Sequence, residues 1–186
     1  FAAMITEGVV RAPHRKRNKA ENTIADSRVD RTERILLGLL FFSMFFVPLI
    51  YALTPWLDFA NYTLPPWAAA VGVALILLTL VIFWRAQEDL GREWSPSLEL
   101  REGHRLVASG IYGVLRHPMY ASQWLWSLSQ PLLLQNWIAG FIGLLAFIPL
   151  YFVRVPKEEQ MMLDEFGAEY RAYMGRVGGI IPRPGR

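Results

Sequence analysis

The sequence predicts an all-α integral membrane fold with four transmembrane helices. Three observations predict it. Hydrophobic residues make up 53% and charged residues 19% of the 186-residue chain, with mean hydropathy +0.25, an apolar excess for a soluble domain. That excess is concentrated in long runs without a charge. All 19 Lys and Arg fall in three segments, eight in 11–34, five in 85–116 and six in 154–186.

The elements follow in order. Residues 11–34 form a basic arm with Arg11, Arg15, Lys16, Arg17 and Lys19, then Arg28, Arg31 and Arg34. Ser27 with Asp30 three residues on fits a capping box, which predicts a helix starting there. Ile35–Thr54 is 20 residues without a charge, about 30 Å of helix and one hydrocarbon thickness. Pro48 predicts a kink within it. Pro55–Pro66 reads as a loop. Trp67–Trp84 is a second uncharged run with an interfacial Trp at each end. Arg85–His117 is a long polar connection broken by Pro96, Gly103 and Gly110. Met119–Leu134 and Trp137–Val153, parted by Gln135 and Asn136, predict a helical hairpin, because a single helix over Met119–Val153 would be about 50 Å long. Lys157–Tyr173 reads as an amphipathic helix, with Met162, Phe166, Tyr170 and Tyr173 at helical spacing and Pro156 a possible bend before it. Gly178, Gly179, Pro182 and Pro184 follow.

Charge sets the expected orientation. The loops 55–66 and 135–136 hold no Lys or Arg, so four crossings put all three basic segments on one side, which the positive-inside rule makes cytosolic. This places the protein in the cytoplasmic (inner) membrane with both termini cytosolic. The expected organisation is a basic arm over 1–34, two transmembrane helices over 35–84 and a chemistry-bearing region over 85–186. The chain starts at Phe1 rather than Met, which points to a missing or processed start, and Phe1–Val10 lacks the basic and apolar parts of a signal peptide. With no cysteine, disulfides, thiolate nucleophiles and cysteine-bound metals are excluded. No His/Asp/Glu spacing suits a metal, and no Rossmann or P-loop fingerprint occurs. The net charge of +3 is distributed for a membrane surface and membrane lipids, with no nucleic acid expected.

Four places could carry chemistry. Arg116-His117-Pro118-Met119-Tyr120 stands where the polar connection enters the third span. Pro118 suits the first helical position, and His117 then lies at a helix mouth whose N–H groups favour an anion. A solvated histidine beside interfacial Arg116 and Tyr120 is the plain alternative. Tyr120, Gln123, Ser127 and Gln130 share one helical face, which predicts a stripe turned from lipid toward other helices or a cavity. Arg154 and Glu158 are one turn apart, followed by Glu159, and read on their own as a surface ion pair. His104 lies in a loop ahead of Ser109-Gly110-Ile111-Tyr112.

In order and spacing, His104-x-Leu106-Val107, Ser109-Gly110-x-Tyr112, Arg116-His117-Pro118-x-Tyr120, Arg154, Glu158-Glu159 and Phe166-Gly167-x-Glu169-Tyr170-x-x-Tyr173 resemble the isoprenylcysteine carboxyl methyltransferase family in its short prokaryotic form. The resemblance covers the C-terminal half, His104 to Pro182. It implies a cytosolic C-terminal cofactor-binding region for S-adenosyl-L-methionine and a lipid-like or prenylated acceptor entering from the bilayer. Carried over by position, His104, Arg105, Leu106, Val107, Tyr112, His117, Pro118, Met119, Tyr120 and Glu158 would bind the cofactor, and Arg154 would face the acceptor as the catalytic residue. Such chemistry is plausible for these side chains: Glu158 suits the cofactor's amino group, His117 and the helix-mouth N–H groups its carboxylate, and the tyrosines its adenine or sulfonium. One departure is Ser122, after Ala121, where the family often has Gly; it puts substrate identity in doubt more than the fold. A phospholipid N-methyltransferase, an NADPH-dependent reductase of the wider superfamily and a non-catalytic scaffold with a lipid-binding arm stay open as alternatives.

Overall fold

The computed structural model describes residues 6, 8, 24–27, 30–91, 99–101 and 105–183. His104 and the arm's Arg11–Lys19 cluster lie outside them. In chain order the elements are β1 (Ile24–Ser27), α1 (Arg31–Leu53), α2 (Pro66–Leu90), β2 (Glu99–Arg101), α3 (Pro118–Leu134) and α4 (Trp137–Arg176), with short 3₁₀ segments at Pro55–Ala60 and Gly110–Gly113. Helices dominate, and α1, α2 and α4 are long and apolar enough to cross a membrane. Contacts divide the chain into two compact units. The first comprises Phe1–Val29, Leu80–Ser122 and Val155–Arg186; the second comprises Asp30–Thr79 and Gln123–Arg154.

The first unit contains the pairing the sequence did not suggest: β1 runs antiparallel to β2, tying the end of the basic arm to the polar connection. Ser27 therefore sits in a strand instead of capping a helix. The cap is Asp30, whose Oδ1 accepts from the Glu33 N–H at 2.8 Å. Shifting the box by three residues puts Glu33 in the first turn, where the helix dipole favours a carboxylate. Tyr170, Tyr173 and Val177 form this unit's buried cluster, with Leu106, Met162, Leu163, Phe166 and Met174 packed against it. The helical spacing of Met162, Phe166, Tyr170 and Tyr173 thus marks a real inner face. They do not form one helix of their own: α4 runs past Pro156 and breaks at Gly167, at φ +50° and ψ −114°, so Met162 and Phe166 lie before the kink and Tyr170 and Tyr173 in the helical segment after it.

In the second unit, α1 takes a π-helical turn over Phe42–Phe46, with the Val47 N–H reaching the Phe42 carbonyl. This turn precedes Pro48, whose missing N–H leaves the regular ladder incomplete. The α3–α4 hairpin turns where expected, with Gln135 at φ +48°. Asn136 Oδ1 accepts from the Ile138 and Ala139 N–H groups and caps α4. Asn136 Nδ2 donates to the Leu57 carbonyl and to Asn61 Oδ1, and Gln135 accepts from the Tyr62 and Leu64 N–H groups. The two cation-free loops are therefore bonded to each other.

Candidate functional site

The site forms in the first unit from the start of α3 and the charged stretch of α4. His117 is only 4% exposed, which overturns the solvated alternative. Its Nε2 stands 3.0 Å from Glu159 Oε1. Its Nδ1 is 3.5 Å from Glu158 Oε1, in ion-pair range but without a hydrogen bond. The Tyr120 hydroxyl donates to Glu158 Oε2 at 2.7 Å, and Arg116 Nη2 donates to Glu159 Oε1 at 2.8 Å. Two adjacent cationic residues thus face two adjacent carboxylates. Burial of the ring opposes its charged form, but the close carboxylates of Glu158 and Glu159 outweigh it and hold the imidazole up at about 9. The raised value favours the imidazolium form at neutral pH, in which both ring nitrogens donate.

The backbone beside it is fixed by the tail. The Arg116 N–H donates to the Gly178 carbonyl at 2.8 Å and the His117 N–H to the Gly179 carbonyl at 3.1 Å, while Arg116 Nη1 reaches the Met174 and Val177 carbonyls. The His117 N–H expected to bind an anion is therefore already used. Gly178 is needed for this closure, because a Cβ there would overlap the Ile181 carbonyl.

Tyr112 is positioned from two directions. The Ile111 N–H donates to Asp89 Oδ2 at 2.7 Å, and Gly110, at φ +59°, leaves room for that carboxylate. The Tyr112 carbonyl accepts from the Tyr173 hydroxyl at 2.6 Å. Burial, then the charge of Glu158, pushes the Tyr112 phenol up, so it stays neutral. Pro118 is buried and Met119 half-buried, with Met119 Sδ 4.0 Å from Gln87 Nε2. Leu106 joins the tyrosine cluster, Val107 is half-buried and Arg105 is exposed. Ser122 is buried and donates to the Met119 carbonyl at 2.7 Å, so its hydroxyl serves the first turn of α3. Arg154 belongs to the second unit, and its partner there is Glu33 at 3.1 Å. Sequence reasoning named Arg116 and Glu159 within their motifs but gave them no part in the site, and it passed over Asp89 and Glu33. The facing dipeptides Arg116-His117 and Glu158-Glu159 were a legible signal for the first two.

Comparison with known proteins bears on this site directly. The model of the isoprenylcysteine carboxyl methyltransferase (ICMT) family matches residues 70–164, just over half of the chain. The chain belongs to this family. The match contains His117, Tyr120, Glu158 and Glu159. Protein-S-isoprenylcysteine O-methyltransferase B of Arabidopsis thaliana is 29% identical over 118 residues, 62% of this chain and 60% of its own. The protein-S-isoprenylcysteine O-methyltransferase of Mus musculus is 28% identical over 142 residues, 72% of this chain and 50% of its own. The chain thus spans half to three fifths of the length of these curated relatives. The fold matches that of the eukaryotic intramembrane Ras methyltransferase ICMT with a TM-score of 0.56 at 23% identity, over 83% of this chain and 54% of that one. With its three long apolar helices, this ICMT-family chain is an integral membrane protein.

Proposed function

We propose that this protein is an S-adenosyl-L-methionine-dependent methyltransferase acting on the carboxylate of a membrane-embedded or amphipathic acceptor, prenylcysteine being the class its relatives' names point to. The observation that carries the reading is the buried, protonated His117 with an Nδ1 donor that no hydrogen bond uses. A buried donor that reaches its counter-charge, Glu158, only at 3.5 Å is incompletely satisfied, and a ligand carboxylate would complete it. Glu158, with 30% of its side chain exposed, offers the complementary anion for an ammonium. The pair fits the amino-acid end of S-adenosylmethionine, and Tyr120 and Tyr112 supply aromatic faces beside it. Residues 104–107, Pro118 and Met119 would complete the wall.

When bound, S-adenosylmethionine supplies an electrophilic methyl group on a sulfonium. The acceptor carboxylate is already ionised at neutral pH, so the chain needs no strong base. Its residues work by alignment and by excluding water. Arg154 would orient the acceptor through bidentate contact, which makes it the catalytic residue of this reading.

The topology belongs to the same proposal. α3, with 17 residues, is about 26 Å long, and we count it as a fourth crossing. Bonding between the cation-free loops supports one shared side for them, and pairing of β1 with β2 and of Arg116 with the tail supports the other. By the positive-inside rule that second side is the cytosol, with both termini and the cofactor region on it, in the cytoplasmic membrane. The segments 1–34, 35–84 and 85–186 then serve as arm, anchor and catalytic region.

The test is to incubate the purified protein in vesicles with methyl-tritiated S-adenosylmethionine and N-acetyl-S-farnesylcysteine. A carboxyl methyl ester releases its label as methanol in alkali. Label that resists alkali, or no transfer at all, rejects carboxyl methylation.

A further inference from the structure

The turn that carries Tyr112 is capped from a distance. Gly110–Gly113 is a short 3₁₀ segment, and the first N–H groups of a helical turn have no partner inside it. Ser109 stands at the N-cap and is a residue type that caps well, yet its side chain makes no cap bond and is exposed. The cap comes instead from Asp89, at the end of α2 and 22 residues ahead of Ile111, whose N–H donates to Asp89 Oδ2 at 2.7 Å. The carboxylate fills the space where a side chain at position 110 would stand, and Gly110 takes φ +59°, a conformation that favours glycine. On the other side of the turn, the Tyr112 carbonyl accepts from the Tyr173 hydroxyl of α4 at 2.6 Å. Tyr112 is itself buried, and Glu158 is near enough for its charge to act on the phenol. A serine cap would have fixed the shape of the turn. A carboxylate from α2 also fixes its place, because a charge-assisted bond between two elements ties one to the other.

We propose that Asp89 is a positioning residue that holds the Tyr112 ring in place against the cofactor. The inference rests on the reading of Tyr112 as part of the cofactor wall. Asp89 acts through the Ile111 N–H, one residue before Tyr112, and not by touching the cofactor. An aromatic face attracts a cation only when the cation lies within about 6 Å of the ring centre. A turn released from α2 would lose that contact while keeping its own shape. Its internal bonds, from the Tyr112 N–H to the Ser109 carbonyl and from the Val114 N–H to the Ile111 carbonyl, do not involve Asp89. What the Ile111 N–H needs is an acceptor oxygen, and an amide oxygen also qualifies. Asp89 lies ahead of the motifs that begin at His104, so the end of α2 serves the site as well as the membrane anchor.

The test measures S-adenosylmethionine binding by calorimetry, without acceptor, in the purified wild type, Asp89→Ala, Asp89→Asn, Tyr112→Leu and the double variant Asp89→Ala/Tyr112→Leu, with thermal melting alongside. Asp89→Ala is expected to weaken binding by about 3–30-fold, the range of a lost cation–π contact. Asp89→Asn keeps an acceptor oxygen and should keep most of the affinity. In the double variant the two losses should not add, because both remove the same contact. A merely structural Asp89 would lower the melting temperature and leave the affinity of the folded protein unchanged. Unchanged affinity in Asp89→Ala, a loss in Asp89→Asn as large as in Asp89→Ala, or additive losses in the double variant overturns this inference alone. If Asp89→Ala does not fold, Asp89→Ser, too short to reach Ile111, takes its place; if Tyr112→Leu does not fold, the Asp89 variants decide by themselves. A wild type that does not bind S-adenosylmethionine, or Tyr112→Leu binding it as the wild type does, overturns the underlying reading and this inference with it.

Discussion

The two units treat buried polarity in opposite ways. In the first, Arg116, His117, Glu158 and Glu159 are ionised and mutually bonded, and neighbouring backbone carbonyls of the tail complete the set. In the second, apart from Glu33 and Arg154, the buried polar groups are neutral. Asn136 is fully used by loop and helix cap, whereas Ser127 Oγ and Gln130 Oε1 are buried without hydrogen bonds. Gln123 donates to Met44 Sδ, a weak acceptor. Charge clustering in one unit and scattered neutral groups in the other is the division expected of a polar site and a lipid-facing bundle, where ionised side chains are expensive.

Changes that uncouple the ionised set should therefore cost most. Replacing Glu159 with Gln leaves Arg116 and His117 facing an amide, and because Glu159 keeps 22% of its side chain exposed the expected stability loss is about 3 kcal/mol, the low end for a buried pair. Denaturant titration in detergent measures it, and a loss under 1 kcal/mol would reduce the cluster to a surface feature. Next comes Gly178→Ala, which forces the tail away from Arg116 and His117 by overlap with the Ile181 carbonyl. A fall of about 2–3 kcal/mol is expected, since backbone must shift, together with faster proteolysis after Arg176. Wild-type resistance would show that the tail closes without that contact.

A smaller effect follows from pH. The folded-state His117 value of about 9 lies above its ordinary 6.5. Its contribution is therefore complete below about pH 6.5 and disappears as pH rises through 9. Thermal melting from pH 6 to 10 should show the wild type losing stability across that window and His117→Gln losing less; parallel curves would mean the ring is neutral. The smallest change is expected in the second unit. Ser127→Ala removes a buried hydroxyl that has no hydrogen bond, so stability should change by no more than about 1 kcal/mol, with a gain as probable a sign as a loss. A large loss would show that this hydroxyl has a partner, such as a ligand or water, and would erase the contrast between the units.

Much of the second unit was legible from composition alone. Uncharged runs of span length, a Gln-Asn break and the segregation of cations are summed properties, and a hydrocarbon layer acts on sums. The site was legible only through order and spacing: Arg116, His117, Tyr120, Glu158 and Glu159 were named, but which of them pair was not. Ser27 read as a cap because a capping box is a local pattern, and only the pairing of β1 with a strand over 70 residues later moved the cap to Asp30. The His117 N–H looked available for an anion because its acceptor, Gly179, is 62 positions away. Arg154 read as the neighbour of Glu158 because helical spacing is all that a sequence displays, yet a buried carboxylate from α1 meets it. The sequence by itself determined the membrane class, the helices and the residue types at the site. Which carboxylate meets which cation was decided by tertiary structure, because pairing inside a protein depends on burial and on segments that fold together from distant parts of the chain.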